Sequence, residues 1–287
     1  MDLPTDPEIA ERIDRLHFHW NHYGIDAFGV SKEHLGNFYS LLAWFYRHYF
    51  RVTVHNIEHV PDRGRAMVVG NHSGGLPVDG GMVLTSLLLE HEPPRLAHGM
   101  VEKFAQRWPF VSTWFSRVGQ FTGLPEHAVS LLEDDRILMV FPEGARGTGK
   151  LYRDRYALVG FGTGFMRLAL QTGSPIVPFA FVGGEEALPT KFHFKTIAKR
   201  MGLPYIPVPA YLVPFPMPIA CDIYYGEPLV FEGTGAEADR VIEGYVDRVK
   251  ARIVELIDEG RVARRRRLDR VLPVDATEDD FPGEVEP

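Results

Sequence analysis

A histidine and an aspartate that follow a predicted strand are the residues best suited to chemistry. The apolar run 66–69 predicts a short buried strand, which leads into the glycine-rich turn Gly70-Asn71-His72-Ser73-Gly74-Gly75-Leu76-Pro77-Val78-Asp79. Polar residues at the carboxyl end of a strand lie where open α/β proteins bind their ligands. His72 can act there as a general base whose ring Asp79 orients. The alternative is a loop in which Asn71 and Asp79 only satisfy turn backbone.

A second predicted strand ends in a similar segment. Residues 136–141 form another run typical of a buried strand, and the sequence PEGARGTGK follows at 142–150. Arg146 and Lys150 on such a loop suit an anion, because backbone N–H groups and a guanidinium bind phosphate together. Glu143 is expected to hold the arginine in place. A purely structural ion pair with Glu143 is the alternative role for Arg146.

In this order and at this separation, the two segments resemble the motifs of the glycerolipid acyltransferase family, whose best-known members are the 1-acylglycerol-3-phosphate acyltransferases. That family carries an Asn-His-(four residues)-Asp motif and, later, a Phe-Pro-Glu-Gly-Thr-Arg motif. Residues 71–79 and 141–146 match them, and 173–181 resembles the family's downstream strand. The resemblance covers about 52–230. It implies transfer of a fatty acyl group from acyl-CoA or acyl carrier protein to a lipid hydroxyl, without a cofactor or a metal.

The resemblance also implies a role for each matched residue. His72 takes the proton of the acceptor hydroxyl, and Asp79 holds the imidazole in the correct tautomer. The other expected contributors bind substrate or position the loop and the oxyanion: Asn71, Ser73, Lys103, Glu143, Gly144 and Arg146.

Two departures from the family pattern leave the acceptor open. Six residues, 73–78, separate His72 from Asp79, and this longer spacing resembles mono- and diacylglycerol acyltransferase-like members. The block 118–126 also lacks the arginine with which the family binds an acceptor phosphate, so that Lys103 or Arg117 would have to supply the charge. The acceptor is therefore either a phosphorylated glycerolipid such as 1-acylglycerol 3-phosphate or a neutral lipid alcohol.

Two alternative functions belong to other classes of protein. Ser73 beside His72 suggests a serine hydrolase, but no Gly-x-Ser-x-Gly elbow surrounds it, and neighbouring residues at a strand end point in different directions. The altered His-to-Asp spacing also leaves open a lipid-binding protein that keeps the fold without catalysis.

Composition narrows the class of protein. With 287 residues, of which 45% are hydrophobic, the chain can bury a large core. A formal charge of −7 argues against nucleic-acid binding. The single Cys221 excludes an internal disulfide, provides no zinc-ligand pattern and favours a reducing compartment.

Periodicity predicts an α/β domain with a central mixed sheet flanked by helices. Helices are expected at 7–21, 32–50, 81–89, 128–135, 161–172 and 236–259. Strands are expected at 52–57, 66–69, 95–101, 136–141, 176–182 and 220–225. The predicted division is an N-terminal helical segment (1–51), a catalytic domain (52–260) and a disordered tail (261–287) that is first arginine-rich and then acidic.

A membrane lipid is the expected partner. The predicted helix 32–50, capped by Ser31, is rich in aromatic residues and resembles an interfacial anchor, with packing on the domain core as the alternative. The uncharged segment 201–221 contains too many prolines for a spanning helix and is expected to be irregular. The arginine run 264–267 is either a site for anionic lipid or a solvated helix end. We expect a peripheral protein on the cytoplasmic side of a membrane.

Overall fold

In the computed structural model, the described residues are 5–73, 76–101, 109–122, 125–194, 198, 200, 205–209, 211 and 215–271. Within them, seven strands form one mixed sheet in the order β1-β9-β6-β2-β5-β3-β4. The strands of this sheet are β1 (Thr53–His55), β2 (Ala66–Gly70), β3 (Ala97–Val101), β4 (Phe121–Thr122), β5 (Ile137–Val140), β6 (Ile176–Val182) and β9 (Asp222–Tyr225). A separate antiparallel pair consists of β7 (Thr190–His193) and β8 (Pro207–Pro209).

Helices pack against the sheet in two groups, as the predicted fold class requires. They are α1 (Pro7–Asp14), α2 (Lys32–Trp44), α3 (Val78–Leu89), α4 (Pro109–Arg117), α5 (Pro125–Glu133), α6 (Ala145–Thr148), α7 (Gly164–Thr172), α8 (Gly184–Ala187) and α9 (Asp239–Val271). The first group joins α1, α2 and α3, and the second joins α5, α7 and α9. A π-helical turn, Phe45–Tyr49, continues α2.

The strand directions bring the polar segments to one edge of the sheet. Strand β2 lies between β5 and β6 and is parallel to both. Strand β9 is antiparallel to β6, with Asp222 opposite Val182, so that β9 begins where β6 ends. The segments that follow β2, β5 and β6 therefore meet at one edge, together with the start of β9.

The N-terminal helices are part of the core. Ser31 caps α2 by accepting a hydrogen bond from the His34 amide, as predicted. The apolar face that the periodicity identifies packs inward, because Leu35 and Tyr39 on α2 are fully buried together with Ile9 on α1. Packing on the domain thus accounts for this periodicity, and membrane association of the segment stays a prediction.

The C-terminal helix is longer than expected. Helix α9 continues to Val271, so residues 261–271 of the predicted disordered tail are helical, and the remainder of the tail lies outside the described residues. Arg267 forms a 2.7 Å ion pair with the fully buried Asp222, and Arg264 donates to the carbonyl of Ala220. These tertiary contacts explain why a charged segment continues the helix.

The proline-rich segment is partly regular. Residues 207–209, expected to be irregular, form β8 and pair with β7, while 201–204, 210 and 212–214 lie outside the described residues. Among the described helices, none combines the length and the apolar character that crossing a membrane requires. The described residues also contain no group of three or more histidine, cysteine, aspartate or glutamate side chains that could hold a metal ion.

Candidate active site

His72 and Asp79 lie together at the carboxyl edge of the sheet. His72 follows β2, and Asp79 lies in the first turn of α3, where the positive end of the helix dipole favours a carboxylate. The two side chains are 2.7 Å apart, from His72 Nδ1 to Asp79 Oδ2. Oδ2 also accepts from the Ser73 amide, and Oδ1 accepts from the Gly80 amide. One buried carboxylate therefore fixes both the imidazole ring and the turn that carries it.

This pairing leaves the other ring nitrogen of His72 available. An ionised carboxylate only accepts hydrogen bonds, so the ring proton lies on Nδ1 and the lone pair on Nε2. Nε2 makes no hydrogen bond within the described part of the chain, and the side chain is 14% exposed. The ring stacks on Phe141, with the centroids 4.1 Å apart. The geometry is that of a general base held by a carboxylate on one side and an aromatic ring on its face.

Asn71 is a buried link between two strands. Its side-chain amide donates to the carbonyl of Phe181 at 3.0 Å and accepts from the amide of the same residue at 2.8 Å. The side chain has no exposed surface. Asn71 thus positions the loop, the first of the two roles expected for it, and offers no exposed atom for direct contact with a substrate.

Ser73 is also buried, so its side chain offers almost no exposed surface to a substrate. It is 1% exposed and packs so closely on Gly184 that a Cβ there would lie 2.2 Å from the serine oxygen. The hydroxyl makes no hydrogen bond to any described residue. This placement also separates Ser73 from the role of a nucleophile, because a nucleophile has to reach the substrate. Gly74 and Gly75 of the same turn lie outside the described residues.

Glu143 holds backbone rather than the arginine. Its carboxylate accepts from the His72 amide at 3.0 Å and from the Val159 amide at 2.8 Å, and the residue is 1% exposed. Gly144 follows with φ 56° and ψ −153°, a conformation open essentially to glycine alone, and so turns the chain into α6. The structure thus gives both residues a structural task at positions that were expected to bind substrate.

The two cations of this loop have different surroundings. Arg146 is exposed and donates from Nη2 to the carbonyl of Gly160 at 2.8 Å, so the expected ion pair with Glu143 is absent from this described loop. Lys150 was expected to bind an anion, but its side chain is buried and only 3% exposed. Its ammonium lies 3.5 Å from Glu143 and 3.6 Å from Glu185, which follows β6. The sequence patterns did not predict the pairing of Lys150 with Glu185, although each of these two residues follows a predicted strand.

Of the two expected sources of a second positive charge, the structure describes only Arg117. Lys103 lies outside the described residues. Arg117, at the end of α4, donates to the carbonyl of Gly29 in the N-terminal segment. Gln120, in the block that lacks the family's arginine, is buried and accepts from the Gly99 amide at 2.9 Å. Arg146 is therefore the exposed cation within the described segment 142–150.

A histidine and carboxylate pair at one edge of a mixed α/β sheet defines a general-base site. Comparisons with known proteins identify the family. The family model described as Acyltransferase matches residues 51–182, which include His72, Asp79 and Arg146. An uncharacterized protein of Mycobacterium leprae is 35% identical over 85% of this chain and 69% of its own length, and one from Mycobacterium tuberculosis is 33% identical over 85% and 71%. The chain belongs to the glycerolipid acyltransferase family and is an acyltransferase of lipid metabolism.

Two further similarities concern proteins of described function. A chicken protein described as a DGAT1/2-independent enzyme synthesizing storage lipids is 27% identical over 75% of this chain and 62% of its own length. The crystal structure of the 1-acyl-sn-glycerophosphate acyltransferase PlsC from Thermotoga maritima superposes with a TM-score of 0.51 at 17% identity, over 78% of this chain and 82% of that one. This second likeness shows a shared fold.

Proposed function

We propose that the protein transfers a fatty acyl group from an acyl thioester, acyl-CoA or acyl carrier protein, to a hydroxyl of a glycerolipid such as 1-acylglycerol 3-phosphate. The observation that carries this proposal is the His72 ring, held by Asp79 at 2.7 Å with Nε2 unengaged by the described residues. A base in this state can accept the proton of an alcohol as the alcohol attacks a carbonyl.

The proposed reaction needs one tetrahedral intermediate and no covalent enzyme adduct. His72 Nε2 takes the hydroxyl proton while the acceptor oxygen bonds to the thioester carbonyl carbon. Asp79 stabilises the imidazolium that forms, because its carboxylate already accepts from Nδ1. The carbon–sulfur bond then breaks, and the imidazolium returns the proton to the departing thiolate. The products are an ester and a free thiol.

His72→Ala tests the catalytic role. We expect the variant to lose acyl transfer by at least about a thousandfold, the order expected when a general base is removed, while it still binds lipid. Thiol release from long-chain acyl-CoA in the presence of an acceptor measures the rate. An unaltered rate would remove His72 from the mechanism, and no release from the wild type with any acceptor or donor would favour a non-catalytic lipid-binding protein.

The acceptor class is a separate question. Arg146 supports a phosphorylated acceptor, because its exposed guanidinium donates to the Gly160 carbonyl from Nη2 and leaves its other N–H groups unengaged by the described residues. A neutral acceptor, mono- or diacylglycerol, is the second candidate. It is supported by the buried Gln120 in the block without arginine and by similarity to the chicken enzyme described as synthesizing storage lipids.

Arg146→Ala separates the two acceptors. For a phosphorylated acceptor we expect KM to rise about tenfold or more, because a charge-assisted hydrogen bond contributes roughly 1.5–3 kcal/mol. For diacylglycerol we expect little change. An equal loss with both acceptors would contradict a phosphate role for Arg146.

We further propose that the protein is peripheral on the cytoplasmic side of a membrane. On α2 and near β9, three exposed apolar side chains support this placement, namely Leu41, Trp44 and Phe215, which are 49%, 52% and 51% exposed. Tyr49 contacts both aromatic rings, with centroid distances of 6.3 Å to Trp44 and 5.8 Å to Phe215. Aromatic side chains of this kind favour the interface between lipid and water.

Surface substitutions test this placement without disturbing the core. Trp44→Ser combined with Phe215→Ser should reduce cosedimentation with phosphatidylglycerol-containing vesicles. Val262→Ser on α9, at a residue 51% exposed, is the matched control and should bind as the wild type does. Equal cosedimentation of all three proteins would contradict lipid contact through this aromatic face.

A further inference from the structure

A buried lysine lies between two buried glutamates beside the candidate base. The Lys150 ammonium is 3.5 Å from Glu143 Oε2 and 3.6 Å from Glu185 Oε1, and the three side chains are 3%, 0% and 4% exposed. Within the described residues, the ammonium makes no hydrogen bond of normal geometry. Burying a cation without hydrogen bonds is unfavourable unless nearby charge offsets it, so the two carboxylates account for its position.

Glu143 connects this lysine to His72. One carboxylate oxygen accepts from the His72 amide, and the other accepts from the Val159 amide. Among the described residues, Lys150 is the cation that forms an ion pair with Glu143, because Arg146 is turned to the carbonyl of Gly160. The charge of Lys150 thus acts on the same carboxylate that fixes the backbone of the candidate base.

Glu185 is the second neighbour of the lysine. Burial raises the pKa of Glu185 to about 7, although the charge of Lys150 opposes this rise. Its Oε1 accepts from the Tyr156 amide at 3.4 Å, while the Tyr156 hydroxyl donates to Glu186. Lys150 therefore has two alternative roles. It either neutralises the charge of Glu185, or it holds the Glu143 carboxylate and, through it, the His72 backbone.

We propose that Lys150 is a positioning residue for His72, acting through Glu143, in the acyl transfer proposed above. Without the lysine, the buried carboxylate of Glu143 has no cation beside it among the described residues, and it either shifts its position or admits water. Both changes weaken its hold on the His72 and Val159 amides. With its side chain 3% exposed, Lys150 acts by keeping the His72 backbone in one place rather than by contact with a substrate.

Two variants separate this role from a merely structural one. Lys150→Met keeps the length of the side chain and removes its charge. Lys150→Met combined with Glu185→Gln also removes the carboxylate that the lysine would otherwise offset, and Glu185→Gln alone is the control. If Lys150 only neutralised Glu185, the double variant would recover the wild-type kcat and the wild-type exchange at the His72 amide. If Lys150 holds Glu143, the double variant stays defective in both.

The measurements are hydrogen exchange at the His72 amide, kcat and KM. For Lys150→Met and the double variant we expect exchange at least about tenfold faster, kcat lowered roughly 10- to 100-fold and KM within about threefold of the wild type, because a misplaced base loses rate rather than binding. Glu185→Gln should keep the wild-type kcat. Should Lys150→Met fail to fold, the double variant, with one buried carboxylate fewer, gives the same measurements.

Two results would overturn the proposal: wild-type exchange and kcat in Lys150→Met, or recovery of both in the double variant. His72→Ala, assayed in parallel, keeps the underlying function distinguishable. If His72→Ala retains the wild-type rate, the proposed function fails, while exchange at the His72 amide in the Lys150 variants still shows whether the lysine holds this backbone.

Discussion

Gly147 is a position where a single methyl group should disturb the site directly. A Cβ on this α6 residue would lie 2.8 Å from Cβ of His72 and 2.8 Å from Cβ of Glu143. Carbon atoms in contact prefer about 3.5–4.0 Å, so both neighbours have to move by roughly 1 Å relative to α6. Neither gives way easily, because Asp79 holds the His72 ring and two backbone amides hold Glu143.

The size of this displacement determines how much stability and how much catalytic rate the variant should lose. Overpacking of this kind costs about 1–3 kcal/mol of stability. Moving a catalytic base by about 1 Å costs roughly 100-fold in rate, which corresponds to about 2.7 kcal/mol of transition-state stabilisation. We therefore expect Gly147→Ala to stay folded, to melt several degrees lower and to have a kcat about 100-fold below that of the wild type.

The assay is acyl-CoA-dependent thiol release with a saturating acceptor, with a circular dichroism melt of each protein. Gly244→Ala in α9 is the matched control, since nothing lies within 4 Å of the added methyl group. It should be stabilised by up to about 1 kcal/mol, because alanine favours a helix, and should keep its rate. A Gly147→Ala enzyme with a kcat within threefold of the wild type would refute the argument that α6 fixes the position of His72.

Three further predictions concern residues away from the reacting atoms. Asn71→Ala should lower the free energy of unfolding by about 2–3 kcal/mol in urea, because the backbone of Phe181 loses both buried hydrogen bonds; wild-type stability would contradict the link. Burial lowers the pKa of His98 from 6.5 to about 3, so its contribution to stability is complete above about pH 6.5 and is lost progressively as the pH falls from 6.5 to 3. His98→Gln should therefore remove roughly 2 kcal/mol of the difference in unfolding free energy between pH 7.5 and 5, and an unchanged difference would count against this assignment. Burial raises the pKa of the Cys221 thiol to about 12, and iodoacetamide reacts with the thiolate. At pH 8 the reagent should therefore label native protein at least about 100-fold more slowly than protein in urea. Equal rates would show that the thiol is accessible.

Local patterns in the sequence determined much of the fold. The predicted strand 176–182 has the bounds Ile176–Val182 in the structure, and Gly173 ends α7 with φ 62°, the left-handed conformation expected of it. Both features depend on neighbouring residues, through a continuous apolar run and a residue without Cβ. The spacing also pointed to His72 and Asp79, because a strand, a turn and a helix follow one another there directly.

Only the tertiary structure decided which polar residues are buried and what they contact. Asn71 hydrogen-bonds to Phe181, Lys150 forms an ion pair with Glu185, and Arg267 forms one with Asp222. The two residues of each pair are far apart in the sequence. No periodicity encodes such pairs, since sheet order and direction place them together. The same reason explains why Glu143 holds the His72 amide rather than its near neighbour Arg146. The sequence thus determined the fold class and the candidate base, whereas packing determined what holds that base in place.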